Sequence, residues 1–96
     1  MGYLTITTWE ITDGEAWDLA LRRIREKRLP ALKEMGALSV KVIRTSDRTI
    51  AGISEWPDRE SRDAAETSIA AVRAKLTAED HSRLTGEMRG EIVAEV

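Results

Sequence analysis

The chain has no cysteine and no phenylalanine, one histidine and two prolines in 96 residues. Without cysteine there are no disulfides, thiolate metal sites, iron–sulfur clusters or cysteine nucleophiles. A lone histidine with no clustered carboxylate pair gives no basis for a closed metal site. A Gly-rich phosphate loop, a nucleophile elbow and an HExxH pattern are also missing. The expectation is a chain that needs no metal or organic cofactor. No apolar run approaches the roughly 18 residues of a membrane span, and no signal-peptide pattern is visible. Ile6 stands where a myristoylation signal needs Ser or Thr, so a cytoplasmic protein is expected. Net charge is −2 with both signs intermixed, and no cationic field draws nucleic acid or an anionic membrane.

What is present suits one folded domain over 1–96, with 42% hydrophobic and 33% charged residues. Tyr3 to Glu10 alternates with period two, Leu4, Ile6 and Thr8 against Tyr3, Thr5, Thr7 and Trp9, which predicts a strand. Thr12 and Glu15 have capping-box spacing. A helix should follow, its stripe running through Trp17, Leu21, Ile24, Leu32 and Met35. Pro30 predicts a kink near Leu29 or a short second helix, and Gly36 a stop. Leu38 to Arg44 and Thr49 to Trp56 alternate on either side of a polar turn, the pattern of an antiparallel hairpin.

The run Ile53-Ser54-Glu55-Trp56-Pro57-Asp58 ends a strand in an aromatic, turns at a proline and begins a helix at an Asp cap. That helix should carry Ala65, Ile69, Val72 and Leu76 inward. Thr77 to Asp80 reads as the start of a short further helix bearing His81, Leu84 and Met88, and Glu91 to Val96 as a last strand. The order β-α-β-β-α-(α)-β predicts an α+β ferredoxin-like layer, a four-stranded antiparallel sheet with helices on one face. The other face would be uncovered. Trp9, Ile43, Ile50 and Trp56 read as lying on it, and apolar surface there predicts a homodimer formed through the sheets.

The first strand (Leu4–Glu10), the Leu29-Pro30-Ala31-Leu32 … Gly36 helix end and the Glu55-Trp56-Pro57-Asp58 junction resemble the dimeric α+β barrel superfamily. Within it, the chain is most similar to the antibiotic biosynthesis monooxygenase family, over essentially its whole length. The resemblance implies two protomers packed sheet against sheet and a small enzyme acting without metal or flavin on an aromatic or polyketide-like molecule. The alternative is a non-catalytic barrel that binds a small apolar ligand or serves a stress role. Haem degradation is a distant third. Quinone-forming members hold an Asn four residues before the strand Trp, where this chain has Gly52. The haem-degrading branch expects an Asn on the first strand, a Trp in the second helix and a His. Here there are Thr5, Thr7 and Thr8, no Trp between Ser61 and Arg73, and His81 alone.

The candidate ligand-pocket residues are therefore Trp56, Trp9 and Thr7, each equally readable as a packing residue. His81 is the candidate acid–base residue, because imidazole changes charge between about pH 5 and 8. The run Arg22 to Arg28 reads as a solvated helix face, and Lys41 as an outward residue of the sheet. The alanines of the second helix (Ala64, Ala65, Ala70, Ala71, Ala74) either leave a cavity under the sheet or let the helix approach it closely.

Overall fold

The computed structural model describes residues 2–12, 17–80 and 82–96, with 76–80 described by backbone only. Strand β1 (Tyr3–Ile11) leads to helix α1 (Trp17–Arg23), a π-helical turn (Ile24–Arg28) and α2 (Leu29–Glu34). The hairpin β2 (Ser39–Arg44) and β3 (Thr49–Trp56) follows, then α3 (Arg59–Ala64), α4 (Glu66–Asp80) and β4 (Ser82–Glu91). The four strands form one antiparallel sheet in the order β2-β3-β1-β4. This is the ferredoxin-like α+β arrangement, with β1 and β3 central and the helices on one face.

Local chemistry explains the element ends. Pro30 has no N–H, so the ladder widens just upstream, and Leu29 N–H bonds to the Ile24 carbonyl five residues back. The break expected near Leu29 is thus a π turn, and the short second helix α2 follows it. Gly36 at φ 113° ends α2. There the N–H groups of Gly36 and Ala37 close on the carbonyls of Lys33 and Leu32 at 3.1 Å, a Schellman stop. Asp58 caps α3 by accepting from Ser61 N–H at 2.7 Å, and that backbone bond, with the Ser61 hydroxyl, holds its carboxyl below the usual range. The expected cap partner Glu15 lies outside the described residues.

Two expectations are overturned toward the C-terminus. No separate helix starts at Thr77, because α4 runs on to Asp80. Leu84 and Met88 lie in β4, not on a helix. The final strand is Ser82–Glu91, and 92–96 lie outside it, although Ile92 N–H still bonds the Gly2 carbonyl at 2.8 Å. The reason is the open edge of β1: its donors and acceptors are satisfied along its whole length, Tyr3 opposite Glu91 and Ile11 opposite Ser82. Gly86 and Gly90 also disfavour a helix here. A register shift between Thr8 and Trp9 sets Gly86 against Thr8, where an added Cβ would stand 2.9 Å from Thr8 Oγ1.

The sheet faces are also assigned differently. Trp9, Ile50 and Trp56 face the helices, not the uncovered side. One core cluster joins Tyr3, Trp56, Ala65 and Ile69, and a second joins Trp9, Ile11, Ala20, Ile24 and Ile50. Each side of an alternating strand is visible in sequence, but which side the helices cover follows from the bulkiest residues, whose apolar area gains most from burial. Ile43 is outward as expected, 47% exposed. It shares the bare face with half-buried Leu4, Ile6 and Ile53, with Lys41, and with Met88 at 66%.

Candidate functional site

The inner face of the sheet is apolar at both ends and polar in the middle. Tyr3 opposite Trp56 lies in one core cluster, and Trp9 opposite Ile50 in the other. Between them the facing pairs are Thr5 with Ser54 and Thr7 with Gly52. Short side chains in those four places do not fill the layer, and a cavity of about 70 Å³ remains. Val40 and Val42 of β2 close one side, Ile24, Arg28 and Leu32 cover it from the first helical run, and Arg62, Ile69 and Arg73 from the second. The alanines of α4 do not make this space. Ala70, Ala71 and Ala74 are exposed, and Ala65 is core.

Each polar group on the floor has a fixed role. The Trp9 indole N–H donates to Thr7 Oγ1 at 2.9 Å, and the Trp56 indole N–H to Ser54 Oγ at 3.0 Å. The Thr5 and Ser54 hydroxyls bond each other. An indole N–H left unpaired here would cost about 1–3 kcal/mol, so the hydroxyls allow two tryptophans to be buried. Thr7 accepts the indole proton, and its own O–H remains available to donate. Gly52 keeps the space beside that hydroxyl open, since a Cβ there would stand 3.0 Å from Thr7 Oγ1.

The roof is cationic. The Arg28 guanidinium lies 4.4 Å from the Trp9 ring centre, Arg73 6.0 Å from the same ring, and Arg62 5.9 Å from Trp56, all within cation–π range. Arg62 is 1% exposed. Its Nη1 donates to Glu66 Oε2. Arg73 Nη1 donates to Glu87 Oε2 at 3.0 Å, and Arg89 Nη1 to Glu66 Oε2 at 3.2 Å. The bond from Arg62, then that from Arg89, holds the Glu66 carboxyl below its usual range against a modest burial cost. Burial opposes the charge on Arg89, but Glu66 and Glu87 outweigh it and raise its pKa. Arg62 Nη2 is buried without a hydrogen bond among the described residues, 4.0 Å from Glu87 Oε1.

Of the residues singled out in sequence, Thr7, Trp9 and Gly52 line the cavity. Trp56, 0% exposed, is not among the lining residues and stands behind Ser54. His81 lies outside the described residues. The three arginines were missed, and Arg28 was assigned to a solvated face although it is buried. A signal was present. Arg28 follows Ile24 by four residues, Arg62 precedes Ala65 by three, and Arg73 follows Ile69 by four, all on the apolar stripes. Among the described residues, no group of three or more His, Cys, Asp or Glu side chains is placed to hold a metal. No described helix is long and apolar enough to cross a membrane.

No family model and no curated protein matches the sequence. Solved structures do match the fold. A dimeric ferredoxin-like protein from an uncultured marine organism superposes with a TM-score of 0.78 at 20% identity, covering 99% of this chain and 98% of the other. The fold is ferredoxin-like. An antibiotic biosynthesis monooxygenase matches at TM-score 0.61 and 20% identity, over 97% of this chain and 99% of its own. SnoaB, described as a cofactor-independent oxygenase from Streptomyces nogalater, matches at TM-score 0.59 and 15% identity, over 99% and 94%. These are the folds that the β1, Pro30–Gly36 and Glu55–Asp58 segments resembled.

Proposed function

We propose that this protein is a homodimeric α+β barrel that takes a small organic molecule into the space between its sheet and its helices. The observation that carries this reading is the cavity, where residues of both layers leave room above Thr5, Thr7, Gly52 and Ser54. Interiors normally pack to crystal density, and a void lined by a few convergent polar groups on an apolar wall is the usual form of a binding site. The dimer is supported by the bare apolar face around Ile6, Ile43, Ile53 and Met88, and by the likeness to the dimeric ferredoxin-like protein of the marine organism.

A second reading rests on the likeness to SnoaB: oxygenation of an aromatic or polyketide-like molecule without metal or flavin. Guanidinium groups near the ligand would favour the deprotonated form of a phenol, the state such chemistry starts from. The described residues lining the cavity include no carboxylate and no imidazole, and the acid–base candidate of the sequence, His81, lies outside the described residues. An engineered cavity of about 150 Å³ just admits benzene, so a fused aromatic would present only an edge to a space of about 70 Å³.

Titration of small acids, phenols and neutral aromatics against intrinsic fluorescence tests the first reading, with Trp9→Phe to locate the signal. Saturable quenching that is lost in Trp9→Phe is expected, and no saturation by any compound overturns the reading. Oxygen uptake with a quenching phenol supports the second reading, and binding without uptake removes it.

A further inference from the structure

Resting on the cavity reading above, we infer that the site is selective for an anion: it takes the carboxylate of a small organic acid, held by Arg62 and its neighbouring guanidiniums against the Thr7 hydroxyl.

Three independent features converge. The first is the charge of the lining. Its ionisable members among the described residues are Arg28, Arg62 and Arg73. The carboxylates nearby, Glu66 and Glu87, are not among the lining residues and bond Arg62, Arg73 and Arg89, so three guanidiniums share two acids. The second is the spare donor. Arg62 is almost wholly buried, and its Nη2 has no hydrogen bond among the described residues, with Glu87 Oε1 4.0 Å away. A buried charged donor left unmatched is costly, and an acceptor-only oxyanion from a ligand removes that cost. The third is the hydroxyl of Thr7. One lone pair of its oxygen takes the Trp9 indole N–H, and its own O–H can donate to a ligand oxygen. Arg62 Nη2 and the Thr7 hydroxyl can each donate to a ligand oxygen. A cationic ligand would meet the guanidiniums as a like charge, and a neutral one would leave their charge unanswered.

Planarity and size select the carboxylate. Guanidinium matches a planar two-oxygen acceptor with two parallel bonds. A cavity of about 70 Å³ accommodates a carboxylate on a short stem. The tryptophan floor then accepts the apolar part of the acid, and Gly52 leaves room for it beside Thr7.

The test uses the full chain labelled with nitrogen-15, following the indole N–H resonances of Trp9 and Trp56 while acetate, propionate and the corresponding amides are titrated at low salt. The acids should shift the Trp9 indole signal saturably, and each amide should bind at least tenfold more weakly. Binding should weaken as pH falls below the acid's own pKa. Arg62→Met should lower acid affinity at least tenfold and leave amide affinity unchanged, and Arg62→Lys should recover part of the loss. If Arg62→Met does not fold, Arg73→Met, at a half-buried position, should still lower acid affinity several-fold. Equal binding of acid and amide overturns the anion subsite while leaving the small-molecule cavity standing. Saturation by neither, with a phenol or neutral aromatic binding, also overturns it alone. No binding by any compound overturns both.

Discussion

The two faces of the sheet are built from the same four strands and end in opposite conditions. The inner face carries both tryptophans of the sheet strands, each buried with its indole N–H on a hydroxyl, and its polar middle encloses the cavity. The outer face carries aliphatic side chains of moderate size, Leu4, Ile6, Ile43, Ile53 and Met88, and no helix covers them. The inner face spends its bulk at the two ends and leaves its centre unfilled. The outer face has no such division: Ile53, Ile6 and Met88 form one apolar row across three strands, with Lys41 at its β2 end. A filled rim around a hollow centre suits a ligand site, and a largely apolar surface suits a second copy of the chain.

The largest effect should come from the inner rim. Trp56→Ala removes a fully buried side chain and orphans the Ser54 bond, and should cost about 3–5 kcal/mol in urea unfolding. A loss below about 1 kcal/mol would mean that the rim is not a core. On the outer face, Ile43→Glu should leave the fold intact and raise the dimer dissociation constant at least about tenfold, because a charge is poorly tolerated in an apolar interface. Light scattering should give the parent about twice 10.7 kDa and the variant an increasing monomer fraction. A parent that is monomeric at micromolar concentration would end the comparison as drawn.

The hollow centre is sharpened by Gly52→Ala. Its Cβ meets Thr7 Oγ1 at 3.0 Å, so stability should change by no more than about 1 kcal/mol, since strand glycine is itself unfavourable. Ligand-induced quenching of Trp9 should fall at least tenfold, because the added methyl occupies the space beside the Thr7 hydroxyl. The smallest effect concerns the acids behind the arginines. The Glu66 carboxyl sits below its ordinary 4.5 when folded, so its contribution is complete above that pH and fades as pH falls through the lowered value. Glu66→Gln should cost about 0.5–1 kcal/mol at pH 7 and flatten the acid limb of a stability–pH curve measured between pH 6 and 2.5.

Much of this was legible residue by residue. Alternation placed β1 and the hairpin, Pro30 and Gly36 marked the helix break and stop, and Asp58 marked the start of α3. These features act over a few residues, where backbone sterics and capping bonds decide the outcome without reference to the rest of the chain. The C-terminal segment was misread for the complementary reason. Ser82 to Glu91 has two glycines and weak alternation, and it becomes a strand because β1 offers it an unpaired edge. Glu91 to Val96 alternates more cleanly, but only Glu91 pairs with that edge and Ile92 N–H reaches the Gly2 carbonyl, with 93–96 beyond it.

The candidate site divides in the same way. The sequence by itself determined that Tyr3, Thr5, Thr7 and Trp9 share one side of a strand, because side chains alternate with period two. It also sets Arg62 and Arg73 at helical spacing from Ala65 and Ile69, whereas the run that holds Arg28 reads as a solvated face. Only the tertiary structure decided that the tryptophan side is the helix side, that Thr7 stands opposite Gly52, and that three arginines from two separate helical runs meet over one cavity. Periodicity relates neighbours along the chain. Strand register and layer packing are set by long-range burial, in which the largest side chains compete for the interior and every other residue takes the place that remains.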